Sequence, residues 1–300
     1  MKRLATFVAV LLVGVSAIYL SERRRDATPV SANAVVEVAA DAQRDLTRLP
    51  MRLTRLSAQE EVAIGNELAQ QYSIDNQKLS AEELALDAYV GRVGNILAVH
   101  GHRRLPYSFH LLPSHSVINA FSLPGGPVYV GEGLLDQMTS EDELASVMAH
   151  EIEHIDHYHC AERVQIEARL RNLNLGIIGA LVQIPVTVWE AGYNKDEELE
   201  ADREGMRLAV LAGYSPYGAV TLFEKFAKLH KEYIIHAQTP EGELSELTIQ
   251  SLEGYFRSHP EPSERLAQAN ALIAHERWQG RRTQRPFRVE YEVHNGQYAK

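Results

Sequence analysis

Residues 150–154 read HEIEH, and these residue types at this spacing can do metal chemistry. On a helix, positions four apart lie about 40° from each other on one face, so His150 and His154 can each offer an imidazole nitrogen to one ion. Glu151 points to the neighbouring face, where it can reach a water on that ion without taking a ligand position. Two imidazoles, a free carboxylate and an open coordination position are the parts of zinc-assisted hydrolysis. The ion brings the pKa of its water to about 7 and polarises the scissile carbonyl. The pattern predicts one zinc per chain, with Glu151 as the general base that takes the water proton and passes it to the leaving amine.

A catalytic zinc needs a third protein ligand. An arrangement that takes a third histidine from the same run requires Gly at 157 and His at 160. The chain has His157 and Cys160, so that arrangement fails. The other takes a Glu from a second helix, with an Asp four residues later to orient a ligand histidine. In DEELEADREG, residues 196–205, Glu198 alone has an Asp at that distance, Asp202. Glu198 is therefore the expected third ligand and Asp202 the carboxylate behind a histidine. In isolation, EELEAD is also an ordinary solvated helix start favoured by the macrodipole. Its place after HEIEH, across an apolar hairpin, turns the reading towards a ligand. His157 and His159 are not read as ligands.

These residues need rigid elements to hold them. Ser140 and Glu143 form a capping box that opens the HEIEH helix, and Leu144, Val147, Met148, Ile152 and Ile155 recur at helical spacing, so that helix is buried. Asn194 and Glu197 start the helix of Glu198, which Gly213 closes. Ser57 and Glu60 start an earlier helix, AEELALDAYVGRVGNILAV reads as another, and more helix runs to about Arg277. YSFHLLPS and PVYVGEG are short β-rich runs with VINAF between them, predicting a small antiparallel sheet. The fold class is mainly α, formally α+β.

Lys2 and Arg3 precede an uncharged apolar run over residues 4–20, then SERRRD, which reads as a signal sequence or a single membrane anchor. The expected organisation is 1–25 signal or anchor, 26–50 linker, 51–277 catalytic domain and 278–300 tail. Residues 173–189 are apolar, but Asn174, Gln183 and Pro185 interrupt them and favour a buried or lid-like helix over a span. A net charge of -10 with scattered basic residues excludes a nucleic-acid partner. The single cysteine, Cys160, excludes a disulfide framework and a cysteine-based metal site. Nothing in the pattern fixes an oligomeric state.

Five segments in one order carry a family resemblance: LSAQEEVAIGNELA, NAFSLPGGPVYVGEGLL, SEDELASVMAHEIEH, EELEADREGMRLAVLAGY and SHPEPSERL. Spanning about residues 55–270, they resemble metallopeptidase family 48, the HtpX-like and CAAX-prenyl-protease-like gluzincins. The similarity is strongest to the BepA-like periplasmic branch. The run IDHYH departs from the family by lacking an Arg shortly before His159. The tandem helical repeats of BepA-like proteins do not follow the SHP segment, so a partner-binding role built on them is not carried over.

The resemblance implies a gluzincin domain acting on polypeptides in the cell envelope, associated with the membrane through the N-terminal segment. Misfolded or misassembled envelope proteins are the implied substrates. It places Asn119 and Ala120 on the edge strand that receives an extended substrate by β-augmentation. His259 would lie near the metal, either stabilising the oxyanion or latching the open site, and Arg265 would contact a nearby carboxylate or substrate. A zinc-containing chaperone with latched or vestigial peptidase activity keeps the same ligands and stands as the alternative.

Overall fold

The computed structural model describes residues 55–74, 76–170, 192–238, 255–256 and 259–287. The N-terminal apolar run, the linker, the segment 173–189 and most of the C-terminal tail lie outside the described residues. The described residues from Arg55 onward belong to one compact unit. In order it makes α1 (Ala58–Ala69), α2 (Ala81–Ala98), β1 (Ser108–Leu112), β2 (Ala120–Ser122), β3 (Pro127–Gly131), the single turn α3 (Glu132–Leu135), α4 (Glu141–Asp156), α5 (His159–Leu170), α6 (Lys195–Leu211), α7 (Tyr217–Gln238) and α8 (Pro262–His275). Among the described residues no helix is long and apolar enough to cross a membrane.

Polar caps define the helix starts. Ser57, Ser140 and Asn194 each accept the N–H of a Glu three residues on, and that Glu answers the cap's own N–H. Ser80 and Glu83 do the same at α2. Carboxylates in the first turn of α4 are buried yet partnered. Glu143 takes Lys225 at 2.7 Å, and Asp142 accepts the Ser215 and Arg285 N–H groups. The stretch 281–287 packs onto this helix start as well, with Ser140 Oγ donating to Gln284 at 2.7 Å and Glu141 N–H to the Arg285 carbonyl.

The sheet is small, as expected, but mixed, with strand order β1-β3-β2. The β2–β3 pair is antiparallel, whereas β1 runs parallel to β3, from Ser108 opposite Pro127 to Leu112 opposite Gly131. The antiparallel expectation is corrected at that pairing. Alternating burial identifies a strand but carries no direction, and residues 113–126 are long enough to cross over, with β2 inside the crossover. The turn between β2 and β3 needs Gly125 and Gly126, with φ of 82° and 139°.

At the centre lies α4, packed by α2, β2, α6 and α7. Leu144, Met148, Ile152 and Ile155 are fully buried among Tyr89, Val93 and Leu97 of α2. Val147 is only half-buried. On its other side α4 meets α6 at Gly205, where an added Cβ would stand 2.8 Å from the His150 backbone nitrogen. Only a residue without a side chain lets the two helices approach this closely, and that approach brings Glu198 to His150 and His154.

Gly205→Ala should therefore separate the helices. Helix propensity favours Ala by about 0.5–1 kcal/mol, but overpacking against backbone costs about 1–3 kcal/mol, so the net effect is destabilising. Urea melts should show a net loss together with weakened metal binding. Wild-type values for both would mean that the close approach is unnecessary.

Candidate metal centre

Because His150 and His154 sit one turn apart on α4, their rings converge, with the two Nε2 atoms 3.0 Å from each other. Glu198, from the first turn of α6, spans the same point. Its carboxylate lies 3.5 Å from His150 Nε2 and 3.7 Å from His154 Nε2. Among the described residues this is the one group of three or more such side chains whose donor atoms all fall within 4.8 Å of one another. Donors on a tetrahedral ion with bonds of about 2.0–2.2 Å are roughly 3.3–3.6 Å apart. The observed spacings bracket that range, and the N,N,O donor set suits zinc.

Charge makes a second, independent test of the fit. Glu151, Glu198 and Asp202 are all buried, and Arg265 is the buried guanidinium among them. Three carboxylates against one guanidinium leave a deficit of positive charge in a buried site, which a divalent cation would balance. The imidazoles respond to the same field. Burial opposes a charge on His150, yet Asp202 and Glu198 push its pKa up to about 10. His154 is held well below its usual range by burial and by His150. Glu198 lies well below the usual carboxylate range because, against burial, His259 and His150 favour its charged form.

Each donor is held from behind. His150 Nδ1 lies 2.9 Å from Asp202 Oδ1, out of line for a straight hydrogen bond but with no better-placed partner. Asp202 in turn accepts a forked pair from Arg265, at 2.7 and 2.6 Å. Although burial raises it, the Arg265 charge and these bonds hold Asp202 at about 2. Arg265 also donates to the Tyr255 hydroxyl. Glu198 accepts the Tyr193 N–H at 3.0 Å, and its other oxygen lies 2.7 Å from His259 Nδ1. The Tyr193 ring stacks on His154 at 3.9 Å.

Glu151 points from α4 towards β2, where Ser122 Oγ donates to it at 2.9 Å. Burial raises its pKa, with the His150 charge and the Ser122 bond acting against that rise. Ser122 also links it to the buried Cys160, whose thiol burial pushes up to about 12. The free edge of β2 adjoins this point. Asn119 and Leu123 bond to β3 through Gly131 and Pro127, so by antiparallel alternation the Ala120 and Ser122 main chains face away from β3. The Asn119 side chain covers the Ala120 N–H at 3.0 Å. Asn119 Oδ1 is also 3.5 Å from His259 Nε2.

A cleft opens here, touching Asn119, Ala120, His150, Glu151 and His259, with an apolar wall that includes Leu134, Met206, Leu222, Phe223 and Phe226. All eight residues singled out from sequence thus gather around one point, and Arg265 joins them on Asp202. His157 turns away to Glu153, at 3.0 Å. Sequence reasoning missed Ser122, Tyr193 and Gly205. Ser122 falls inside the NAFS segment, which was one available signal.

A sheet edge beside an HExxH helix, with a carboxylate from a later helix completing the donors, defines a gluzincin-type metallopeptidase domain. The sequence model of peptidase family M48 matches residues 84–273, and the chain belongs to that family. It is 28% identical over 264 residues to the beta-barrel assembly-enhancing protease of Yersinia pestis, covering 78% of this chain and 52% of that one. It is 30% identical over 170 residues to the mitochondrial metalloendopeptidase OMA1 of Arabidopsis thaliana, covering 54% and 31%. Over 125 residues it is 30% identical to the metalloprotease LoiP of Escherichia coli (strain K12), covering 38% and 49%. The chain spans about half the length of the beta-barrel assembly-enhancing proteases it matches.

Metal content separates the carboxylates of α6. Glu198→Ala should leave the purified protein without zinc, because it removes a donor. Asp202→Ala should keep zinc but bind it about 10–100-fold more weakly, as expected for a group behind a ligand. Zinc retained in Glu198→Ala but lost from Glu200→Ala would reverse the ligand assignment.

Proposed function

We propose that this chain is a zinc-dependent endopeptidase in which His150, His154 and Glu198 hold one zinc ion and Glu151 is the general base. The observation that carries this reading is the convergence of those three donors beside a buried, hydrogen-bonded Glu151 at the open edge of β2. Zinc bound there supplies the Lewis acidity that makes water nucleophilic near neutral pH and polarises a carbonyl.

The chain's own residues do the rest. An extended polypeptide lies along β2, pairing with the Ala120 main chain once the Asn119 side chain swings off its N–H. Those main-chain bonds fix the scissile peptide whatever its side chains, which suits an enzyme acting on misfolded or misassembled proteins. The apolar wall of the cleft favours an apolar side chain next to the cut. Ser122 holds Glu151 in place to take a proton from the attacking water and return it to the leaving amine. His259 keeps Glu198 oriented through Nδ1 and presents Nε2 beside Asn119, where the ring in its doubly protonated form can donate to the oxyanion.

Casein hydrolysis by zinc-loaded protein tests this reading. Glu151→Gln should retain one zinc and lose at least about a hundredfold in turnover, the scale of a lost general base. His259→Ala should lower kcat by about 10²–10³ with little change in KM. A rise in basal or self-cleavage would instead identify His259 as a latch. Wild-type turnover in zinc-loaded Glu151→Gln would remove Glu151 from the mechanism.

We place the catalytic domain at residues 51–277, on the far side of the membrane that the N-terminal segment engages, in the cell envelope. The basic start and apolar run of residues 4–20 support this topology, and the envelope assignment draws on the similarity to beta-barrel assembly-enhancing proteases. A phosphatase fused after residue 50 should be active. A cytoplasmic reporter working at that junction would reverse the topology and leave the chemistry untouched.

A further inference from the structure

His154 carries a requirement that the residues assigned so far do not meet. An imidazole that gives Nε2 to a cation keeps its proton on Nδ1, and that N–H is buried here, so it needs an acceptor. Asp202 stands 2.9 Å from His150 Nδ1, but among the described residues no carboxylate reaches His154 Nδ1 directly. What reaches it is another imidazole, with His159 Nδ1 standing 2.9 Å away. His159 is itself buried, and its second nitrogen, Nε2, lies 3.4 Å from Glu200 Oε2 on α6.

The backbone is bent to make this contact. Helix α4 ends at Asp156, and Tyr158 then takes a φ of 66°, in the left-handed region that a bulky residue rarely enters. The Tyr158 ring is clamped between the guanidinium groups of Arg55 and Arg103, at 3.7 and 3.8 Å. Arg103 is anchored in turn by the buried Glu61. This reversal starts α5 so that its first residue, His159, returns beneath His154. A non-glycine residue held at positive φ by partners on both faces marks a position that the surrounding structure maintains.

The geometry points to His159 as a positioning residue for the metal centre, accepting the His154 Nδ1–H at its own Nδ1 and donating its Nε2–H to Glu200. The inference rests on the zinc-site reading above. One tautomer satisfies the whole chain, because each imidazole donates once and accepts or ligates once, and the carboxylate ends the line. Helix α6 then supports the site three times. Glu198 is a donor, Asp202 steadies His150, and Glu200 steadies His154 through His159.

Zinc dissociation constants measured by chelator competition on the full chain test the inference, with the visible spectrum of the cobalt-substituted protein as a report on ligand geometry. His159→Phe removes the acceptor and should weaken zinc about 10–100-fold while altering the cobalt bands. His159→Asn puts an amide oxygen near the Nδ1 position and should restore binding to within about threefold of wild type. Glu200→Ala, on a partly exposed side chain, should keep one zinc per chain but weaken it about 3–10-fold. If folded His159→Phe binds zinc as tightly as wild type, or Asn is no better than Phe, the role of His159 is overturned. If His159→Phe does not fold, unchanged affinity in Glu200→Ala overturns the relay. A wild-type chain that takes up no zinc overturns the site reading and this inference with it.

Discussion

Carboxylates taken out of water must meet positive charge, and in this protein three of them are buried within reach of three imidazoles. Arg265 meets one through a forked pair of hydrogen bonds, and the others lean on His150, His154 and His259. The rest of the architecture follows from keeping that arrangement closed to water while leaving one side open. Helix α4 is buried on its apolar face by α2 and on its polar face by α6, and the opening lies towards β2 and the cleft.

Two helices can share so polar a seam only if they approach closely enough for side chains of one to reach side chains of the other. Gly205 permits the approach, since any Cβ there would strike the backbone of His150. The helix starts are secured independently of the site, by capping boxes at Ser140 and Asn194 and by the Asp142 and Glu143 partners. The site can therefore carry locally unfavourable features, a bulky residue at positive φ and several buried ionisable groups, because the flanking elements hold them in place.

Function follows from how these constraints divide the residues. The candidate donors sit on the helices, the rigid part of the fold, while the free sheet edge beside them is a three-residue strand whose outward Ala120 N–H is covered by the Asn119 side chain. Such a division suits the proposed hydrolase, which would hold its ion firmly and accept varied polypeptides loosely.

Much of this was legible in the linear order of residues, for definite reasons. HEIEH is legible because both imidazoles come from one helical turn, so spacing alone implies convergence. Glu198 and Asp202 are legible because they too are local, four apart on one helix. Capping boxes at Ser57, Ser140 and Asn194 are legible because a cap is satisfied within three residues. The direction of β1 was not, because alternation looks the same in parallel and antiparallel strands. Ser122 under Glu151, Gly205 against His150, and His159 between His154 and Glu200 were not legible either. Their partners come from other elements or from across a chain reversal, and no spacing rule spans a contact that only packing creates. Residue order by itself determined which groups could do the chemistry. Tertiary structure decided which neighbours orient them, because hydrogen bonds between elements exist only once the helices have docked.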